Sequence, residues 1–458
     1  MSFFKNLFEG NNKYYSKQLV KKNSIQQPIL IKNVSIFNGK DNTTSTPKDV
    51  LLEQGLIKKI GVNLEMLEAT TYKVIDGTNK TLMPGLIDAH VHISGSGAVP
   101  WKNIAANEAY NLSAYLYSGI TTVYDLGGIA SKLQKLSQQV ENGTILGPSF
   151  YHCYIPMTIK NSHPIPLTQE MLFWPLSALI NQIAPTINAT SEAPKAIAKY
   201  LKKGVSYVKL TSDQIPVGSP EMSFEQIQAL TKEAHKKNRK VFIHIGSPEN
   251  AVNAAQAGVD IIAHGVWRGQ LTEKQADQIA ACNIPVIYTL AGFQNVAQIY
   301  EGKYQPNELD RRLVPNVILD PVSGKKGLDV KTKEVMGAFF ESVHVNRPYW
   351  RNNLKLLRER GVKIVVGTDS SLPGTYAGAS YYQEIDALKD FGLSNFEILS
   401  GATYFSSKLF LENPDFGIVA EGKKANLLLL NGNPLVDLEV VKRPEVILLK
   451  GDIIERLV

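Results

Sequence analysis

Residues 240–265 read KVFIHIGSPENAVNAAQAGVDIIAHG. The apolar run 240–245 has the composition of a buried strand, and a longer helix-like stretch follows it. Gly258 ends that stretch, and a second apolar run, 259–264, begins at once with Val259. Glycine just past a helix, with a β-branched residue immediately after it, is the pattern of an αβ loop. The same junction recurs at Gly119 before Ile120, Gly204 before Val205 and Gly361 before Val362. Counting outward gives eight strand candidates: 82–92, 120–126, 146–155, 205–211, 240–245, 259–264, 284–290 and 363–368. Eight βα units in series predict an α/β chain whose parallel strands close on themselves, a (β/α)8 TIM barrel. An open doubly wound sheet would want an early glycine cluster for phosphate, and none is present.

Two connections are too long for plain βα loops. Residues 157–204 leave strand three and residues 292–360 leave strand seven. Structureless loops of that length are improbable, so extra helices are expected in both. Loops after barrel strands surround the active face, which makes both candidate lids. Lys325, Lys326, Lys331 and Lys333 in the second suggest a solvated surface.

The ends read differently. Residues 28–82 give short β-rich pieces (29–36, 49–52, 56–60 and 73–76) punctuated by Gly39, Gly55, Gly61 and Gly77. Residues 417–458 give more of the same at 427–430, 446–450 and 453–456. Neither half is large enough to bury its own core. The simplest arrangement is one small β-sandwich built from both termini, 28–82 and 417–458, with the barrel of 83–416 inserted between them.

Composition sets the outer bounds. Of 458 residues, 44% are hydrophobic and 20% charged, which excludes wholesale disorder. Two cysteines, Cys153 and Cys282, exclude a disulfide framework and suit reduced thiols in the cytoplasm. The net charge of +7 carries little information about partners. Residues 1–27 hold Lys5, Lys13, Lys17, Lys21 and Lys22 against Glu9, so more than half the excess lies in what reads as a basic, solvated N-terminal extension. Neither a nucleic-acid nor a membrane partner is expected. The extension lacks the continuous apolar core of a secretory signal. The segment 171–191 is free of charge throughout, but Pro175, Pro185, Asn181, Gln182 and Asn188 disqualify it as a lipid-facing helix. Trp174 and its apolar neighbours offer a face for a homo-oligomer.

The chain has eight histidines, and two stand two apart in LMPGLIDAHVHI, as His90 and His92. Positions i and i+2 of a strand face one side, so both imidazoles can aim at one point at the strand's end. On its own that pair is weak evidence, since barrels also hold ordinary lining histidines. His244 and His264 stand at the C-terminal ends of strands five and six, and Asp369 ends KIVVGTD on strand eight. A barrel puts its catalytic groups at those ends. Asp369 alone could be a helix N-cap; all five together point to a metal site. Lys209 lies in VSYVKLTS, where alternation puts Tyr207, Lys209 and Thr211 on one face. A lysine in a barrel mouth is costly as a bare cation. As a neutral amine it can add carbon dioxide, and the resulting carbamate has two oxygens with which to bridge two ions. The plain alternative is a lysine paired with Asp213.

These motifs resemble the amidohydrolase superfamily over about residues 28–458. MPGLIDAHVH is similar to its first metal motif, VKL to its strand-four lysine motif, and the His244–His264 block to its paired-histidine segment. VVGTDS resembles its strand-eight aspartate, and GIVAEGKKANLLLLNGNPLVD its return to the small β-domain. Within the superfamily the chain looks most like the imidazolonepropionase-related branch, which includes Xaa-Pro and Xaa-Arg dipeptidases. The resemblance implies that His90, His92 and Asp369 hold a buried divalent ion and that His244 and His264 hold an outer one. Carboxylated Lys209 would bridge them. An all-N and O donor set suits Zn²⁺, with Mn²⁺, Fe²⁺ and Co²⁺ as alternatives. Hydroxide supplied between two such ions attacks a carbonyl, and Asp369 carries the proton to the leaving nitrogen. The implied reaction is hydrolysis of an amide C–N bond in a small molecule: a dipeptide, an N-acyl amino acid or a cyclic amide. Deaminase relatives carry a glutamate just past the strand-five histidine, where this chain has Ile245, Gly246 and Ser247. Dipeptidase relatives carry a tyrosine at the place of Gly246. His163, in Asn161-Ser162-His163, is a candidate substrate contact. An esterase or lactonase on the same fold, and an inert scaffold, are the competing readings. The scaffold reading suffers because all six ligand positions are filled.

Overall fold

The computed structural model describes residues 14–25, 27–64, 71–99, 104–171, 180, 183–324 and 330–458. Lys5, Glu9 and Lys13 of the basic stretch, Trp174, Gln182, and Lys325 and Lys326 lie outside the described residues, as does Pro175.

The N-terminal part supplies β1 (Val20–Asn23), β2 (Ile29–Ile36), β3 (Lys48–Glu53), β4 (Leu56–Gly61), β5 (Lys73–Asp76) and β6 (Thr81–Pro84). The middle supplies β7 (Leu86–Val91), β8 (Ile120–Asp125), β9 (Ser149–His152), β10 (Val208–Ser212), β11 (Val241–Ile245), β12 (Ile261–Ala263), β13 (Val286–Tyr288) and β14 (Ile364–Val366). The C-terminal part supplies β15 (Leu427–Leu430), β16 (Val446–Leu449) and β17 (Asp452–Arg456).

The terminal strands form one sheet in the order β1-β17-β16-β15-β6-β2-β3-β4, with β5 also on β2. Both ends of the chain therefore build one small β-domain. Its inner cluster includes Ile31, Val50, Ile57, Leu82, Leu427 and Leu429. All four leucines of β15 are buried, although a strand has two faces. Leu427 and Leu429 enter the small core, while Leu428 and Leu430 enter the large one. Alternation thus makes β15 the seam between the two bodies.

The middle strands form two parallel sheets, β7-β8-β9 and β10 to β14 in order. The sheets also touch along both flanks. Val91 bridges Ser370, and the Asp369 N–H donates to the His90 carbonyl at 2.8 Å. On the other side Met157 bridges Leu210, with the Met157 N–H donating to the Lys209 carbonyl at 2.8 Å.

Local chemistry fixes the βα joints. After β11, Ser247 caps the helix Pro248–Gln256 in a capping box with Asn250, and Pro248 starts it. That helix ends at Gly258, whose φ of 85° suits glycine. The connection after β9 carries helices Ile165–Met171 and Ala193–Leu201. The connection after β13 carries Leu290–Tyr300, Glu308–Leu313, Asn316–Leu319 and the long Val330–Glu359.

Two sequence expectations need correction. Residues 82–92 are not one strand. Pro84 and Gly85 break the run, β6 joining the terminal sheet and β7 the parallel one. A Cβ on Gly85 would lie 2.3 Å from Thr121 Oγ1, so only glycine lets the chain pass there. The described part of the basic stretch 1–27 is not a solvated overhang. Tyr15, Leu19 and Val20 are buried, and β1 runs antiparallel to β17. Lys21 and Lys22 mask this strand in the sequence because it is a sheet edge, where lysines face water. Lys22 pairs with Asp452 at 2.7 Å.

Leu19 provides the check, being 1% exposed. Leu19→Ala should lower the unfolding free energy by about 2–5 kcal/mol in a denaturant titration, the cost of a truncated core leucine. A change under about 0.5 kcal/mol is what a surface position gives.

Candidate metal centre

The site lies where the carboxyl ends of the parallel strands meet. His90 is in β7 and His92 follows its end; Lys209 is in β10 and His244 in β11; His264 follows β12 and Asp369 lies beyond β14. The β10–β11 register sets Thr211 beside His244, and the β11–β12 register sets His244 beside Ala263. All six predicted ligands, and His163, line one cavity of about 680 Å³.

His90, His92 and Asp369 form the tightest group. Asp369 Oδ1 lies 3.3 Å from His90 Nε2 and 3.2 Å from His92 Nε2. Their ligand atoms all fall within 4.8 Å of one another. Two ligands of one tetrahedral ion with bonds of about 2.0–2.1 Å stand roughly 3.4 Å apart, so this spacing fits a cation. His92 Nδ1 donates to the Gly127 carbonyl at 3.0 Å, which turns its Nε2 to Asp369; burial would lower this imidazole, but the hydrogen bond with the Asp369 carboxylate raises it above its ordinary range. Asp369 itself holds φ of 54°, a costly backbone for a non-glycine residue and one found at functional sites.

The second group is His244 and His264. His244 Nδ1 lies 2.9 Å from His264 Nε2, and His264 Nδ1 is 2.7 Å from Thr289 Oγ1. The His264 ring stacks on His90 with centroids 4.7 Å apart, which ties the two groups together. His163 packs against His244 with centroids 4.8 Å apart.

Charge in the site follows from burial. Burial pushes the His90 and His264 imidazoles well below their ordinary range, so both are neutral, as ligands must be. Burial brings His163 down to about 3. Burial alone would raise Asp369, but the hydrogen bond and charge of His92 beside it hold the carboxyl below the usual range. Lys209 is brought down to about 8 by burial. Its Nζ is buried with no hydrogen-bond partner among the described residues, as is His90 Nδ1. An orphaned buried amine asks for a partner that the protein itself does not supply. Asp213, the plain alternative, faces His244 instead, 3.0 Å from Nε2.

Several residues at the site escape a reading of the sequence. Asp88 is fully buried and accepts from the Thr368 N–H at 3.0 Å and hydroxyl at 2.7 Å, joining β7 to the end of β14. Burial lifts its carboxyl to about 7. Asp125 accepts from the Ile93 N–H at 2.8 Å and the Gly127 N–H at 3.0 Å, shaping the turn beside His92. The position of Asp88, two before His90, was the one available signal, since it shares that strand face.

The comparisons with known proteins agree with this geometry. The model of the Amidohydrolase family matches residues 81–454. The chain belongs to that family, and its class is the hydrolases of amide C–N bonds. A 5-methylthioadenosine/S-adenosylhomocysteine deaminase of Carboxydothermus hydrogenoformans is 39% identical, but over 66 residues only, 14% of this chain and 15% of that one. Ochratoxinase of Aspergillus niger is 22% identical over 404 residues, 80% of this chain and 73% of that protein. The solved structure of a Xaa-Pro dipeptidase with bound methionine shares the fold at a TM-score of 0.73 and 19% identity, covering 93% of this chain and 99% of that one.

Asp88→Ala tests the staple between β7 and β14. It strands the Thr368 N–H and hydroxyl in the core, and the unfolding free energy should fall by about 1–3 kcal/mol in chemical denaturation. An unchanged midpoint and slope would remove the staple from the account.

Proposed function

We propose that the chain is a binuclear metal-dependent amidohydrolase whose eight parallel strands act as one closed barrel. The contacts along both flanks of the two parallel sheets support closure. The observation that carries the functional reading is the meeting of four imidazoles, one ionised carboxylate and one amine without a hydrogen-bond partner among the described residues in a single cavity.

His90, His92 and Asp369 would hold the inner ion, His244 and His264 the outer one, and Lys209 would bridge. The nitrogen and oxygen donors suit Zn²⁺. Two such ions, when bound, supply a water of lowered pKa and a Lewis acid for the carbonyl. With its amine brought down to about 8, Lys209 has an accessible neutral form near neutral pH. Its Nζ lone pair can bond to the carbon of carbon dioxide, one proton leaving to solvent, to give the bridging carbamate. Asp369 accepts the proton of the attacking water at its carboxylate and returns it to the leaving nitrogen.

The walls indicate the substrate's shape. Ile104, Ile129, Ile165, Ile180, Met336 and Phe339 line the cavity, drawn partly from the two long connections. They favour an amide that carries a bulky apolar group, among dipeptides, N-acyl amino acids and cyclic amides. Ochratoxinase and the Xaa-Pro dipeptidase lend that class support by name. The unpaired thiols of Cys153 and Cys282 suit a cytoplasmic setting. Among the described residues no helix is long and apolar enough to cross a membrane.

The deciding experiment is elemental analysis joined to hydrolysis of an amide panel. About two divalent ions per chain and chelator-sensitive hydrolysis of apolar N-acyl amino acids are expected. Asp369→Asn should keep the fold by circular dichroism and lose about 10²–10⁴-fold in kcat, the usual worth of a positioned acid–base group. Near-wild-type turnover in that variant would refute the proton-carrying role.

A further inference from the structure

We infer that Asp213 is a positioning residue that aims His244 at the outer ion, and that residue 246 is glycine to make room for it. The inference rests on the proposed sharing of that ion by His244 and His264.

Asp213 lies one residue past β10, and its side chain is fully buried. Oδ2 is 3.0 Å from His244 Nε2 and 3.2 Å from Trp267 Nε1. Oδ1 accepts from Arg268 Nη2 and from the Gln214 N–H, both at 2.8 Å. Arg268 Nη2 is held in turn by Glu221 Oε1 at 3.0 Å. Every neighbour is a donor, so the carboxylate accepts throughout. His244 Nε2 must then carry its hydrogen, and Nδ1 must carry the lone pair. That lone pair faces His264 Nε2, 2.9 Å away. Moving the hydrogen to Nδ1 would turn the Nε2 lone pair onto an anionic oxygen. The tautomer and the direction of His244 are thus fixed from behind, in the manner of a carboxylate–histidine–metal relay.

Gly246 is the second observation. A Cβ there would lie 2.2 Å from Asp213 Oδ1 and 2.4 Å from Oδ2. The backbone of Gly246 is outside the left-handed region, so the glycine serves space and not conformation. Any side chain at 246 would push the carboxylate off His244.

The test is competition for Zn²⁺ against a chromophoric chelator, on the full chain loaded with bicarbonate. Wild type should bind two ions. Asp213→Asn cannot accept on both sides, because its amide N–H₂ must meet either His244 Nε2–H or Arg268. It should leave the first Kd within twofold and weaken the second about 10–100-fold, the usual cost of losing such a partner. In a His244→Ala background the same change should alter the second Kd by less than twofold, as a thermodynamic cycle requires if Asp213 acts through His244. Gly246→Ala should reproduce the loss, and decides the matter by the same readings if Asp213→Asn does not fold. A second Kd within twofold of wild type, equal weakening of both ions, or an additive loss in the His244→Ala background overturns the inference. A wild type that binds one ion overturns the binuclear reading, and this inference with it.

Discussion

The pairing of β7 with the end of β14 is the constraint on which the site depends. Asp369 N–H to His90 O at 2.8 Å, His92 N–H to Ser370 O at 3.2 Å, and the Asp88–Thr368 pair lock two segments far apart in the chain. Through them one carboxylate oxygen comes to stand 3.3 and 3.2 Å from two imidazoles. A slip of one residue would turn His90 and His92 to the opposite face, because side chains alternate along a strand. The cation site therefore depends on register before it depends on any ligand.

Burial gives these groups their chemistry. An imidazole removed from water resists protonation, so its lone pair stays free for a cation. Lys209 resists its own charge for the same reason, its ammonium brought down to about 8. Asp369 stays ionised against its burial, held by the His92 imidazole beside it. Without cations such an assembly is costly, with a buried amine and an imidazole nitrogen left unsatisfied. Polar groups are retained in that state where a bound partner satisfies them.

Supporting residues sort the donors. Gly127 O sets the tautomer of His92, Thr289 stands behind His264, and Asp213 stands behind His244. The apolar walls come partly from the two long connections, one helix of which, Val330–Glu359, is pinned by the Trp350 indole on the Trp267 carbonyl at 2.8 Å. Trp267 also touches Asp213, so that helix and the His244 side of the cavity share one neighbour.

The sequence alone determined the βα rhythm, because a glycine stands just before several of the parallel strands and each of these strands is a short apolar run. It named the candidate donors too, since histidine, lysine and aspartate at strand ends have few other uses in so apolar a setting. It could not place the break at Gly85, which depends on Thr121 from a neighbouring strand. It could not show that Val20–Asn23 is a strand, because two of its four residues are lysines and its partner lies at the other end of the chain. Asp88 and Asp125 read as unremarkable acids, and Asp213 only as a partner for Lys209, until folding buries them against donors remote in sequence. Local pattern is written in neighbouring residues, whereas burial and partnership are properties of space. Only the tertiary structure decides which carboxylates face a cation and which hold the residues that do.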